Sequence, residues 1–233
     1  MASFRKEILG QIERIDTGRI FTFRDLSFDI EKTANVAVLL SEQSRKGILV
    51  RVAKGAYYRP RKSLLGLGQL PVYQDEQFRY LTEKLNGYIT GAYVYNKMGL
   101  TEQVATTITI ATPNPVRRFR FKNLDVECVK AYCVDFQDVS LVPYLRLLDA
   151  IKDMKHIPGS TEQNIYDRVK RQFFNGYSLL ELEKIVSWAK SYPPRVRKVV
   201  ADILGDIRQT VLQTEMTKTI LPTTRFNLDY KTA

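Results

Sequence analysis

The stretch from Thr33 to Pro60, TANVAVLLSEQSRKGILVRVAKGAYYRP, decides the fold of this chain. Its first half carries apolar residues at helical spacing, which predicts a helix from Thr33 to Arg45 that ends in a basic turn and a left-handed glycine. Residues 48–53 then alternate with the period of two that is typical of a half-buried strand. A Lys-Gly turn and a tyrosine-rich strand follow, and Pro60 ends that strand. We therefore predict a helix followed directly by a β-hairpin.

The residues before this stretch predict two more helices. Apolar side chains recur every three or four positions from Phe4 to Ile15, and Gly18 follows where such a helix stops. Thr22 and Asp25 have capping-box spacing, which predicts a short second helix over about 23–28. Three short helices and a hairpin are the element order of a winged helix-turn-helix. In that fold the third helix enters the major groove of DNA, and the hairpin, or wing, contacts the DNA beside it.

The outward face of the third predicted helix suits contact with base edges. Val36, Leu39, Leu40 and Gln43 share one face, so the small and polar residues of the helix point the other way. Among these, Asn35 has the amide that pairs bidentately with adenine.

Basic charge is concentrated in the same region. The chain of 233 residues has a net charge of +11, and residues 1–62 hold thirteen Lys and Arg against seven Asp and Glu. Such an excess is typical of proteins with an anionic partner, most often nucleic acid. We expect double-stranded DNA to be contacted by helix three and the wing through Lys32, Thr33, Asn35, Ser41, Arg45, Arg51, Lys54, Tyr58, Arg59, Arg61 and Lys62.

Two alternatives to DNA binding remain open at this point. Winged helices also act as protein–protein interaction modules, and charges on a hairpin protect its edge from pairing with other chains. A metal-dependent nuclease needs an acid and then an acid-x-Lys on adjacent strands. The stretch from Asp125 to Lys130 has its lysine one position too far along, and the correctly spaced acid and lysine at 153 and 155 lie on a predicted helix.

The second half of the chain predicts a different domain. Residues 61–74 have glycines, a proline and no periodicity, which indicates a hinge, and a helix follows it up to Asn86. Alternating segments then predict a small sheet over about 87–136, and helices are expected over about 141–154, 161–174, 178–190 and 194–215. We predict an α+β protein with a winged helix-turn-helix domain at 1–65 and a mixed domain at 66–233.

The whole chain resembles a known family of regulators. The motifs KGAYYRP, GYITGAYVYNKMGLTEQV, TITIAT, LLDAIKDM and YPPRVRKVVADIL, in this order, are similar to the AbiEi-type antitoxins of type IV toxin–antitoxin systems, which act in abortive infection. The resemblance extends from about residue 4 to about residue 210. It implies an N-terminal winged helix that represses its own promoter at inverted repeats, and a C-terminal domain that counteracts a nucleotidyltransferase-type toxin.

This resemblance places helix three, Thr33 to Arg45, in the DNA groove and residues 51–60 in the wing. The chain departs from the family pattern at Glu42 and Gln43, where related sequences usually carry a basic residue and a leucine. An acid on this helix opposes phosphate contact unless it reads cytosine. The departure bears on the affinity for DNA, and it leaves the predicted fold unchanged.

The sequence offers little chemistry for catalysis. Gly66 and Gly68 lack the Gly-Lys-Ser/Thr of a P-loop, and His156 is the one histidine. Cys128 and Cys133 form no zinc motif. A nucleotidyltransferase needs a Gly-Ser turn before its acid pair, and here the order is reversed. We expect a protein that is not an enzyme, with no cofactor and no metal, located in the cytoplasm and without a membrane span.

Overall fold

The first sixty residues fold around the helix and hairpin that the sequence predicts. The computed structural model describes residues 2–66, 68–133 and 139–230. In the N-terminal part the elements are α1 (Ala2–Arg14), β1 (Ile20–Thr22), α2 (Thr33–Arg45), β2 (Val50–Ala53) and β3 (Ala56–Tyr58). The predicted bounds of helix three, Thr33 to Arg45, are therefore confirmed.

The three strands form one antiparallel sheet in the order β1-β3-β2. The helices cover it, and Ile8 of α1, Phe21 of β1 and Leu40 of α2 meet in a common core from which water is excluded. Burial of such side chains contributes about 1.5–3 kcal/mol each, so this cluster fixes α2 against the sheet. The arrangement is that of a winged helix-turn-helix, and the fold is α+β as predicted.

The second helix is shorter than the sequence indicates. The predicted capping box is present, since the Thr22 amide donates to Asp25 Oδ2 at 2.7 Å and the Arg24 amide donates to Thr22 Oγ1 at 3.2 Å. The helix is a single 3-10 turn, Phe23–Asp25, because the buried residue Leu26 adopts an extended conformation. A second 3-10 turn, Ile30–Lys32, leads into α2.

The predicted hinge contains a short β-ribbon. β4 (Arg61–Lys62) and β5 (Gln69–Leu70) pair antiparallel, and α3 (Gln74–Leu85) follows. Strands of two residues are too short to produce a recognisable alternation, which explains why the sequence pattern does not reveal them.

The chain divides into two compact units, Met1–Lys84 and Leu85–Ala233. All of α3 except its last residue, Leu85, lies in the first unit, whereas the sequence pattern predicted a domain boundary at residue 65. Polar contacts hold the helix there: the Ile20 amide donates to Glu76 Oε1 at 2.6 Å, and Arg79 Nη2 donates to the Ile20 carbonyl at 2.8 Å.

The second unit begins with a four-stranded sheet. Its strands are β6 (Tyr88–Thr90), β7 (Thr107–Thr112), β8 (Arg117–Phe121) and β9 (Leu124–Lys130), in the order β6-β7-β9-β8, and α4 (Ala92–Lys97) follows β6. β7 and β9 are parallel, and the other pairs are antiparallel. The predicted sheet is confirmed, and the part of it that was expected over residues 134–136 lies outside the described residues.

Helices follow the sheet in this unit. They are α5 (Val142–Asp153), α6 (Glu162–Gly176), α7 (Leu179–Ala189), α8 (Pro194–Asp206) and α9 (Thr210–Thr217). The single helix that was predicted over about 194–215 is broken, because Arg208 has a positive φ of 61°. None of the helices in the described ranges has the length and apolar character needed to cross a lipid bilayer.

A buried carboxylate organises the core of the second unit. Asp149 of α5 is 1 % exposed and accepts hydrogen bonds from the hydroxyls of Tyr88 at 2.9 Å, Thr90 at 2.8 Å and Tyr192 at 3.1 Å. Burial raises the pKa of this carboxyl group. The three donors come from β6 and from the turn before α8, so a satisfied polar network joins the sheet to the helices.

Candidate nucleic-acid interface

Helix α2 has one buried and one open face, as its sequence predicts. Its buried residues are Val36, Leu39, Leu40 and Gln43. On the opposite face Asn35 and Arg45 are exposed, Ser41 is half-buried, and Val38 is 60 % exposed. Over the first two turns of this face the side chains of Asn35, Val38 and Ser41 are short, which allows close approach to base edges.

The first residues of α2 are engaged in local contacts. Lys32 Nζ lies 2.5 Å from Asp29 Oδ2 and 5.2 Å from the centre of the Phe4 ring. The Thr33 hydroxyl donates to the Ile30 carbonyl at 2.5 Å, within the turn that precedes the helix. Lys32 therefore brings less net charge to this surface than the sequence count indicates, since its carboxylate partner remains beside it.

The acid on α2 is neutralised by a residue of α1. Arg5 Nη2 donates to Glu42 Oε2 at 2.5 Å, and this hydrogen bond holds the pKa of the Glu42 carboxyl below its usual range. The sequence pattern shows Glu42 as an unfavourable charge on a DNA-facing helix. The fold places a cation against it, so the pair adds no net negative charge to the surface. Arg5 is the residue of this region that the sequence analysis missed.

The wing presents its basic residues at the turn and on one edge. Lys54 and Gly55 form the turn between β2 and β3, and Gly55 has a φ of +73°. A Cβ at Gly55 would lie 3.1 Å from Phe23 Cε2, so this position favours glycine for conformation and for space. Lys54 is exposed at the tip, and exposed Arg51 donates from Nε to the Ala53 carbonyl at 3.2 Å. The tight turn thus places a lysine at the furthest point of the wing.

Tyr58 was predicted to contact DNA, but the fold buries its side chain. It is 6 % exposed, its neighbour Tyr57 is 4 % exposed, and the Tyr58 hydroxyl donates to the Leu70 carbonyl at 3.4 Å. Burial raises the pKa of the Tyr58 phenol. Its hydroxyl is used inside the protein, and we leave Tyr58 out of the proposed contact surface.

Two of the residues predicted to contact phosphate are bonded within the first unit, Arg59 at the end of the wing and Arg61 on β4. Arg59 Nη1 donates to the carbonyls of Glu13 at 2.7 Å and Ile15 at 2.8 Å, at the C-terminal end of α1. A cation there satisfies terminal carbonyls and complements the helix dipole. Arg61 Nε donates to the Thr17 carbonyl at 3.1 Å, and its guanidinium lies 4.5 Å from the centre of the Tyr73 ring.

The remaining predicted cations are open to solvent. Arg45, Lys54 and Lys62 are exposed, and within the described parts of the chain their side chains form no salt bridge or hydrogen bond. Arg45 lies on the last turn of α2, Lys54 at the wing tip and Lys62 on β4. We call these three residues the cation set, and they provide the positive charge that is open to a partner at the candidate interface.

The acidic residues considered for a metal-dependent nuclease are engaged in ion pairs. Glu127 pairs with Arg118 at 2.6 Å, and Asp125 lies 3.8 Å from Arg120. Across residues 2–66, 68–133 and 139–230, no group of three or more His, Cys, Asp or Glu side chains is placed to hold a metal ion. Cys128 and Cys133 are buried and free, and His156 is exposed.

The fold and this surface define a winged-helix protein with an α+β second unit. A family described as "Family of unknown function (DUF6088)" matches residues 7–132, and the chain belongs to this family. Among solved structures, the chain is similar to the RV2827C protein from Mycobacterium tuberculosis, with a TM-score of 0.49 and 12 % identity over 95 % of this chain and 83 % of that one. No curated protein matches the sequence.

Proposed function

We propose that this chain is a DNA-binding transcriptional autorepressor and the antitoxin of a type IV toxin–antitoxin system. The observation that carries the DNA-binding part is the open face of α2, which has no unpaired acid because Arg5 neutralises Glu42. The cation set lies on the same helix, on the wing and on β4. A positively charged surface beside a small polar helix face is the combination that phosphate contact and base reading require.

The two kinds of contact fall to different residues. Asn35 is suited to pair bidentately with adenine, and the exposed methyl groups of Val38 are suited to contact the thymine methyl group. The cation set contacts phosphates, which fixes the orientation of the protein but reads no sequence. If two copies bind together, the half-sites of the operator lie about one helical turn, or about 34 Å, apart.

The antitoxin part of the proposal rests on the sequence resemblance, which continues through the second unit. We propose that this unit counteracts a nucleotidyltransferase-type toxin without catalysis of its own. Co-expression with a nucleotidyltransferase-type toxin of a type IV system tests this directly. Growth rescue by the full chain supports the antitoxin role, and continued growth arrest despite normal expression of the chain contradicts it.

The DNA-binding part is tested on the DNA upstream of the chain's own gene. Fluorescence anisotropy compares that duplex with a shuffled duplex of the same length, for the native chain, Asn35→Ala and the control Asn123→Ala. Asn123 is an exposed asparagine of the second unit. We expect Asn35→Ala to lose about 1–3 kcal/mol of discrimination between the two duplexes, and Asn123→Ala to lose none. Equal affinity of the native chain for both duplexes would leave a protein–protein interaction module as the better reading.

A further inference from the structure

Among the described residues at the tip of the ribbon formed by β4 and β5, two adjacent leucines are open to solvent. Leu64 is 103 % exposed and Leu65 is 84 % exposed. Single exposed leucines are common on protein surfaces, but two adjacent ones at the turn of a hairpin form an apolar surface that is suited to a partner.

The ribbon is a built element. β4 and β5 pair through Arg61 with Leu70 and Lys62 with Gln69. The Ser63 amide donates to the Gly68 carbonyl at 2.8 Å, which closes the hairpin beyond the last strand pair. These bonds hold the backbone on both sides of the leucines, so the tip reaches a partner without much further ordering of its stem.

The ribbon is also attached to the end of the helix that faces DNA in the proposed function. Gln69 Nε2 donates to the Gly47 carbonyl at 2.7 Å, directly after α2. The hydroxyl of Tyr58 in β3 donates to the Leu70 carbonyl, which fastens the same strand to the wing. The base of the ribbon is therefore hydrogen-bonded both to the residue that follows the C-terminal end of α2 by two positions and to β3 of the wing.

The charge of the ribbon fits nucleic acid. The sequence from Arg61 to Leu70 contains no acidic residue and two basic residues, of which Arg61 is bonded to the Thr17 carbonyl and Lys62 is open to solvent. Lys62 belongs to the cation set, so an apolar tip follows a basic stem. Proteins that kink DNA use this combination, in which basic residues hold the phosphates and an apolar side chain enters between two base pairs from the minor groove.

We propose that the ribbon is a second DNA-contacting element, which enters the minor groove beside the α2 site and inserts Leu64 or Leu65 between base pairs. This inference rests on the proposed DNA binding and adds to it a kink in the operator. The free energy needed to unstack two base pairs is lower at flexible pyrimidine–purine steps than at other steps. The ribbon therefore favours operators that have such a step at the insertion point, although no hydrogen bond to a base recognises it.

The test uses the full chain and a set of duplexes of about 30 base pairs, about three helical turns, from upstream of its own gene. Each duplex has one adenine replaced by 2-aminopurine, whose fluorescence rises when it is unstacked. The variant Leu64→Ala with Leu65→Ala is compared with the native chain and with the control Leu221→Ala, an exposed leucine of the second unit. Substitution of exposed leucines leaves folding intact.

We expect the native chain and the control to raise the fluorescence at one step in each half-site. The double variant should lose this signal and bind about tenfold more weakly, with the salt dependence of binding unchanged because the cations remain. A double variant that binds and unstacks like the native chain overturns the ribbon proposal while DNA binding stands. A native chain that binds no duplex overturns the proposed function itself. A change from dimer to monomer in the double variant, with unstacking retained, assigns the leucines to an interface between copies and overturns the proposal as well.

Discussion

Removal of Lys54 and Lys62 from the cation set should reduce the salt dependence of DNA binding by an amount that follows from the number of phosphate contacts. Each phosphate neutralised by Lys or Arg contributes about −0.9 to the slope of log K against log salt concentration. Contacts by Arg45, Lys54 and Lys62 therefore give a slope of about −2.7 for each copy of the chain. The double variant Lys54→Ala with Lys62→Ala leaves about −0.9.

The same relation gives the loss of affinity over an accessible range. Between about 50 mM and 200 mM salt, each contact weakens binding about 3.5-fold, so three contacts weaken it about fortyfold and one contact about 3.5-fold. Anisotropy titrations at four or five salt concentrations resolve this difference. The matched control is Lys184→Ala with Lys218→Ala, which removes two exposed lysines of the second unit.

If the variant Lys54→Ala with Lys62→Ala has the same slope of log K against log salt concentration as the native chain, these lysines do not contact phosphate. An equal reduction by the control would show that net charge alone governs binding. In either case α2 could not be oriented on DNA by the wing, and the assignment of base contacts would fail with it.

Three further predictions concern side chains whose hydrogen-bond partners are known from the fold. Arg59→Ala should lower the free energy of unfolding by about 2 kcal/mol, because two backbone carbonyls lose a charged donor, and it should leave the salt slope intact; urea denaturation and anisotropy measure the two effects. Glu42→Gln should tighten DNA binding about two- to fivefold, because it removes the acid and releases Arg5, and anisotropy at fixed salt measures the change. Glu181 accepts hydrogen bonds from the Tyr144 hydroxyl and the Ser178 amide, which lower the pKa of Glu181 to about 2 from 4.5. Its contribution to stability is therefore complete above pH 4.5 and is lost as the pH falls toward about 2, so Glu181→Gln should flatten this part of the stability–pH curve measured by urea denaturation.

Each of these predictions has a contradicting result. An Arg59→Ala protein of native stability with a reduced slope would return Arg59 to the DNA contacts. Weaker binding by Glu42→Gln would mean that Glu42 itself contacts a base, as an acid that accepts from cytosine does. Identical acid profiles for the native chain and Glu181→Gln would show that the hydrogen bonds accepted by Glu181 have no part in acid unfolding.

The sequence by itself determined the elements that have strong local signals. The bounds of α2 and its four buried residues follow from helical periodicity and a terminal glycine, and the capping box of Thr22 follows from spacing alone. The sheet around β7, β8 and β9 follows from alternation, since each strand is long enough to show a period of two.

Elements without such signals needed the tertiary structure. β4, β5 and β6 have two or three residues each, and their conformation comes from pairing with strands elsewhere in the chain. The break after α8 depends on the positive φ of Arg208, a residue type that rarely adopts this conformation, so the identity of the residue gave no sign of it.

The candidate interface divides in the same way. Composition places a surplus of cations in the first sixty-two residues, but it does not tell which of them face solvent. Arg59 reaches carbonyls 44 and 46 positions earlier in the chain, and Glu42 is neutralised by a residue 37 positions away. Hydrogen bonds and ion pairs over such separations form only when folding brings distant segments together. The sequence therefore determined how much positive charge the first unit carries, and the tertiary structure decided which part of that charge remains available to a partner.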